Sequence, residues 1–423
     1  MSRRSLLISL APVVAGALAF GWMLGLVGGW PLPVMVYAIL LMVMVHELGH
    51  FLAAKWAGME VTDFFVGFGP PLWSVTVGGT RYGVRALPLG GYVKVPGMTS
   101  ADVIDVDREG RTYRAQSYPK KVIFASAGSF MHLVMAFVLA WSSLTFIGRP
   151  AADHIVVSHL SRFDHVAASQ VPAVAAGVRV GDRLYAVDGQ VITSSTQLVG
   201  LISRDLAKGT TRLTVERDGW RLTLRSRVED GCHLSVDGQV LETKCGVRGF
   251  IGVGLDNAVV ASSPWVAVGG ALSLVADNVT AAAHGVVQVF SPRQFASLYH
   301  QVTSTKAAND PNNQLHRPES LVGVVRLAVQ GTQADGVRVM LDLLVTVNIF
   351  VGLVNMLPLL PLDGGYVALA TYERIRSRKG RAPYRADVSR LNPLILAVVL
   401  ILLALLAGTL YLDIAHPITN PFH

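Results

Sequence analysis

Charge and cysteine are what this chain has little of. Only 15% of its 423 residues are charged and 52% are hydrophobic. That balance is too apolar for an ordinary soluble protein and fits a polytopic membrane protein with a sizeable polar insert. Two cysteines, Cys232 and Cys245, are the whole complement. Both sit in the polar middle of the chain, which excludes a cysteine zinc cluster and a redox CxxC pair. If that region is extracytoplasmic, they could form a disulfide. The net charge of +8 has a membrane explanation in positive residues on cytoplasmic loops, so no nucleic-acid partner is inferred.

In place of charge there are long apolar runs. Leu6 to Gly28 contains no charged residue and is long enough to span a bilayer. With Arg3 and Arg4 ahead of it, the competing reading is a cleaved signal peptide, whose apolar core is normally shorter and followed by a small-residue cleavage site. Further spans are expected at 30–56, 122–148, 338–366 and 393–413, about five in all. Pro264 to Phe290 is nearly as apolar, but Asp277, Asn278 and His284 interrupt it.

The second run carries His46-Glu47-Leu48-Gly49-His50. On a helix the two imidazoles stand one turn apart on one face, which suits two nitrogen ligands of one zinc with the glutamate near the bound water. In a soluble chain two such histidines can simply be a satisfied face. Inside hydrocarbon, three ionisable side chains in five residues are costly unless they face a polar cavity and do chemistry there. His132, in the third run, is a candidate ligand, but a lone imidazole in a bundle more often hydrogen-bonds a neighbouring helix, so it is kept as a supporting residue.

Between the spans the periodicity changes. Leu72 to Val77 and Thr80 to Leu87 flank Gly78-Gly79, a two-residue hairpin turn, and Gly90-Gly91-Tyr92-Val93-Lys94 offers a third strand. The edge of such a sheet could hold an extended peptide, or the hairpin is merely structural. Asp102 to Lys121 is expected as a solvated loop or short helix within a 57–121 segment. Residues 150–255 read as a soluble α+β domain. Residues 256–337 read as a further amphipathic and loop region with a polar loop at 304–319, and 367–392 as a basic loop. The span from Leu341 runs into Asn355-Met-Leu-Pro358-Leu-Leu-Pro361-Leu-Asp363-Gly364-Gly365. Two prolines there should end the helix and leave Asp363 where a span meets polar surroundings.

Basic residues set the topology. Arg374, Arg376, Arg378, Lys379, Arg381, Arg385 and Arg390 crowd the loop after Asp363, and Lys55, Arg81, Arg85, Lys94, Lys120 and Lys121 the loop after His50. Both loops are therefore expected in the cytoplasm. With an inside amino terminus, the span count agrees only if 264–290 lies along the outer surface as an amphipathic helix.

Taken together, HELGH on an early span, a Gly-Tyr-Val-Lys strand, the PAxxAGxxxGD string at 172–182 and NxxPxxPxDG at 355–364 resemble the site-2 protease family. The likeness is to its bacterial branch, which cleaves membrane-bound anti-sigma factors. The resemblance covers nearly the whole chain. It implies an intramembrane zinc metalloprotease with one catalytic Zn2+ held by His46, His50 and Asp363, and with Glu47 as general base. It further implies that Asn355, with the strand at Gly91, Tyr92 and Val93, holds the substrate backbone, and that 150–255 is an extracytoplasmic PDZ-like domain binding a peptide ligand. The expected partners are a single-span membrane protein, such as an anti-sigma factor, and the lipid bilayer. The sequence departs from the family where relatives carry Ala-Gly-Pro followed by Asn. Here Ala127-Gly128 precedes Ser129, and His132 takes the Asn position. Two rival readings, a membrane metal transporter and a non-enzymatic PDZ scaffold, share the outline.

Overall fold

The computed structural model describes residues 3–98, 104–161, 167–230, 235–236, 239–240, 249–377 and 384–418. Cys232 and Cys245 lie outside the described residues, so their expected pairing does too. In chain order, helices α1 (Arg3–Gly28) and α2 (Pro31–Ala57) lead to strands β1 (Asp63–Val77) and β2 (Thr80–Lys94), then to α3 (Tyr118–Ser142) and a π turn at Ser143–Ile147. Next come β3 (Arg149–Leu160), α4 (Pro172–Ala175), β4 (Arg183–Val187), β5 (Gln190–Val191), α5 (Ser195–Asp205), β6 (Thr210–Arg217) and β7 (Trp220–Arg227). The short strands β8 (Glu229–Asp230), β9 (Ser235–Val236), β10 (Gln239–Val240) and β11 (Gly249–Phe250) precede β12 (Val253–Val260). The remainder is helical: α6 (Pro264–Val289), α7 (Pro292–Thr303), α8 (Thr305–Ala308), α9 (Pro311–His316), α10 (Leu321–Asp335), α11 (Val337–Asn355), α12 (Asp363–Arg376) and α13 (Asn392–Ala415). The chain divides into two compact units, Met1–Ser142 with Val268–His423, and Ser143–Ala267.

At the centre of the first unit, α3 lies between α2 and α11. Gly49 faces the Ala127 carbonyl and Gly128 faces His46, while Gly352 faces Ser129 and His132. Small residues at these crossings let the backbones approach closely. The order of the pairs makes α3 antiparallel to both neighbours, so α2 and α11 run the same way. Met35, Ile39 and Met42 of α2 close one end of this core against Ala328 of α10 and Met340 and Leu344 of α11. At the other end Gly58, with φ +76°, caps α2 in the left-handed conformation, and the Lys120 ammonium donates to the Ala57 carbonyl at 2.7 Å.

Among the described residues, six helices are long and apolar enough to cross a membrane by length and composition, one more than the five expected spans. The additional one is α6, the segment expected to lie along the outer surface. One of its polar interruptions is satisfied by neighbours: the Asn278 amide donates to the Leu274 carbonyl at 2.9 Å and its oxygen accepts from Thr346 of α11 at 3.1 Å. Gly285 lies against Phe350, so α6 runs beside α11 in the same direction. Two neighbours that run the same way oblige the chain between them to return to its starting level.

Two expected loops hold helix among their described residues, which in 367–392 exclude 378–383. Residues 304–319, read as a polar loop, hold α8 and α9, capped by the side chains of Ser304 and Asp310. Local capping bonds outweighed polar composition there. In the expected 367–392 loop, α12 continues to Arg376 and a 3-10 turn occupies Val388–Leu391. Arg317 ties the 304–319 region to α13, its guanidinium 2.9 Å from the Asp413 carboxylate with both side chains fully buried.

The sheet beyond α2 is more folded than a hairpin with one added strand. Residues 73–77 pair with 80–84 across the Gly78-Gly79 turn, and 63–66 lie between 81–84 and 91–94, so that Phe65 is opposite both Gly83 and Tyr92. Left-handed glycines at Gly67 and Gly69 let β1 double back before Pro70-Pro71. Residues 91–94 are thereby left at an edge of the sheet.

The second unit is an antiparallel sheet in the order β12-β3-β4-β6-β7, with β5 paired to β4. Its core holds Ile155, Leu184, Leu198, Leu213 and Val215. Asp188-Gly189 and Asp218-Gly219 turn its hairpins with positive φ at all four residues, the backbone such two-residue turns require. Asp182, buried at 2% exposure, accepts from Arg217 at 2.7 and 2.6 Å and from the Arg179 amide at 2.8 Å. Burial pushes its carboxyl up, but these donors outweigh that and hold it below the usual carboxylate range.

Candidate metal centre

Heptad-like spacing on α2 turns His46 and His50 toward α3 and leaves Glu47 beside them on the flank that meets the sheet. Gly128 makes room for both imidazoles: a Cβ there would stand 2.5 Å from His46 Cε1 and overlap His50 Nε2. The third group arrives from a distant part of the sequence. After α11 ends at Asn355, residues 356–362 turn so tightly that Gly364 packs on the Met356 carbonyl, and a Cβ at Gly365 would lie 2.6 Å from the Leu360 amide. This turn starts α12 with Asp363 directed at the two histidines.

His46 Nε2 and His50 Nε2 are 3.2 Å apart. The Asp363 carboxylate reaches His46 Nε2 at 3.5 Å and His50 Nε2 at 3.4 Å. Such spacings are close to the edges of a tetrahedron whose vertices lie about 2.0–2.1 Å from its centre, the bond length of zinc to nitrogen or oxygen. His50 Nδ1 is 2.9 Å from the Phe124 carbonyl oxygen. A carbonyl only accepts, so Nδ1 carries the proton and Nε2 keeps its lone pair toward the other ligands. Asp363 Oδ2 is buried with no hydrogen-bond donor, a cost that a cation removes. Donor set, spacing and orphaned oxygen all fit zinc, and among the described residues His46, His50 and Asp363 are the group able to hold a metal.

The other expected residues are distributed around this centre. Glu47 is half-buried; its carboxylate hydrogen-bonds the Val93 amide, and a Cβ on Gly91 would sit 3.1 Å from its Cγ. The sheet edge at 91–94 is thus pressed against the glutamate. Tyr92 points away: its hydroxyl accepts from Arg85 at 2.6 Å and its ring stacks on Phe65 at 5.7 Å. His132 is not brought into the ligand triangle. Its Nδ1 is 3.1 Å from Asn348 Oδ1 and its ring centroid 5.0 Å from that of His46. Asn355 ends α11 half-buried. The Phe124 carbonyl was beyond sequence reasoning, since a main-chain oxygen carries no residue signature. The role of Gly128 could have been found from the small-residue pair Ala127-Gly128 on the neighbouring span.

Comparison with known proteins agrees with this geometry. The model for peptidase family M50 matches residues 34–402. The zinc metalloprotease Rip1 of Mycobacterium tuberculosis (strain H37Rv) is 30% identical over 399 residues, covering 91% of this chain and 96% of its own. The zinc metalloprotease Rip1 of Mycolicibacterium smegmatis is 28% identical over 406 residues, with the same coverage. A transporter or a non-enzymatic scaffold therefore gives way to a membrane-embedded hydrolase: the chain belongs to peptidase family M50, the site-2 proteases, and is a zinc metalloendopeptidase.

Proposed function

We propose that this peptidase hydrolyses peptide bonds in or near the transmembrane segment of single-span membrane proteins, with a membrane-bound anti-sigma factor as the substrate class, as a step of regulated intramembrane proteolysis. The observation that carries the reading is the meeting of His46 and His50 with Asp363 next to a carboxylate, Glu47, that touches a sheet edge.

His46, His50 and Asp363 are the zinc ligands in this proposal. Zinc held there supplies Lewis acidity, bringing the ionisation of a water toward neutral pH and polarising the scissile carbonyl. Glu47 takes the water's proton and passes it to the departing amine nitrogen. The Phe124 carbonyl keeps His50 in the ligating tautomer. A substrate helix hides its amides in internal bonds and must unwind; the edge at Gly91, Tyr92 and Val93, with the Asn355 side chain, replaces the bonds it gives up. His132, held by Asn348, supports the ligands by packing its ring beside that of His46 without binding the metal. The basic residues after His50 and Asp363 support a centre near the cytoplasmic face, and so does the parallel course of α2 and α11. Residues 150–255 then form an extracytoplasmic PDZ-like domain that takes a peptide by strand addition and screens substrates.

Co-expression of wild type and Glu47→Gln with candidate single-span regulators tests this reading. A regulator that accumulates uncut only with the variant is the expected result, and cleavage by the variant at the wild-type rate removes Glu47 from the reaction.

A further inference from the structure

A cavity of about 700 Å3 opens between α12, residues 384–391 and the first turn of α13. The peptidase chemistry makes no use of it. Its inner wall is apolar, with Leu360, Leu369, Leu394 and Ile395, and its mouth carries Arg385 and Arg390. We propose that it binds an anionic glycerophospholipid of the cytoplasmic leaflet, with the phosphate at the two arginines and the start of an acyl chain on the leucines and Ile395.

The position suits a lipid. α13 lies in the most apolar candidate span, with mean hydropathy 2.8, and Leu394 and Leu396 are 54% and 59% exposed. The cavity therefore lies where a lipid-facing surface meets the basic loop. Tyr372 and Tyr384 line it as well, and the Arg376 guanidinium lies over both rings at 5.8 and 5.4 Å. Amphipathic rings of this kind settle at headgroup level.

Charge narrows the class further. From Arg374 to Arg390 the sequence has seven cations and a single acid, Asp387. The acids that pair with the two mouth arginines are shared with other donors: Glu109 is held by Arg114 at 2.7 and 2.9 Å and stands farther off, 3.7 Å, from Arg385. Asp387 accepts from Ser389 at 3.1 Å and meets the largely exposed Arg390 at 3.4 Å. Exposed pairs of this length are weak in water. A zwitterionic lipid would bring the same phosphate together with an ammonium that the surrounding arginines repel, whereas a small soluble anion would leave the wall wet. Because α12 begins with Asp363, a lipid bridging α12 to α13 braces the element that delivers the third ligand.

The test is native mass spectrometry of the full-length protein in an uncharged detergent, with phosphatidylglycerol and phosphatidylcholine of equal short chain length. Phosphatidylglycerol should be retained at one site about tenfold more tightly than phosphatidylcholine. Arg385→Gln with Arg390→Gln should abolish the preference. Ala368→Trp, which fills the cavity from an exposed position, should abolish retention with zinc content unchanged. Equal retention of the two lipids, or a preference that survives the arginine pair, overturns the proposal. So does displacement of phosphatidylglycerol by equimolar glycerol 3-phosphate or by a peptide from a substrate's cytoplasmic tail.

Discussion

Gly128 lies so close to His50 that a single added methyl group would overlap the imidazole Nε2. No rotamer escape is open to His50 without breaking its 2.9 Å bond to the Phe124 carbonyl. Gly128→Ala should therefore lower zinc affinity by at least tenfold to a hundredfold, the range seen when ligand-orienting contacts are lost. Metal content of the purified variant at limiting zinc is the measurement, and wild-type content would show that the helices part more easily than their packing implies.

Glu47→Gln separates binding from reaction. The variant keeps the three metal-facing side chains, so its zinc content should match wild type. Cleavage should fall by about 10²–10⁴-fold, the usual contribution of a positioned base.

Proline at position 93 removes the amide that meets Glu47, and with it a donor at the sheet edge. Val93→Pro should lose most cleavage of a helical membrane substrate while binding zinc normally, because the edge, not the metal, is altered. Unchanged turnover by a folded variant would falsify substrate capture by strand addition.

His132 and Asn348 are both buried, at 2% and 0% exposure. Replacing His132 by leucine leaves the Asn348 oxygen without its donor, a loss of about 1–3 kcal/mol. A lower melting temperature in detergent, with zinc still bound, is expected from a supporting residue. Complete loss of metal from a folded variant would instead make His132 a ligand.

Asp182 gives the second unit a pH dependence whose sign follows from its depressed folded-state value. A carboxyl held below its unfolded value of about 3.9 stabilises at neutral pH, and the benefit disappears as the pH falls through the folded value. Asp182→Asn should thus cost about 2–3 kcal/mol at pH 7 and less at about pH 3, below the unfolded value. Circular dichroism melts of the full-length protein at the two pH values supply the comparison.

Much of this site could be read from the residues alone. HELGH gave two of the proposed ligands because the i, i+4 spacing is a property of any helix, and Asp363 stood out because an acid at the end of a proline-broken span has few structural reasons to be there. What was missed came from contacts between distant segments. Residues 63–66 enter the sheet between two strands that are consecutive in sequence, and only the left-handed turns at Gly67 and Gly69 permit it. The polar residues of α6 lowered its apparent fitness as a span, yet Asn278 spends its hydrogen bonds on Leu274 and Thr346, which sequence periodicity does not register. In 304–319, capping by Ser304 and Asp310 and the burial of Arg317 against Asp413 ordered what composition alone would leave as loop.

The proposed ligands are divided between an early part of the chain, at His46 and His50, and a late position, Asp363. A ribosome has therefore finished the entire second unit before the third ligand leaves its tunnel. With that ligand set, the nascent protein cannot complete its metal site while it is still being threaded into the bilayer among other newly inserted helices, and a copy terminated before Asp363 lacks the third proposed ligand.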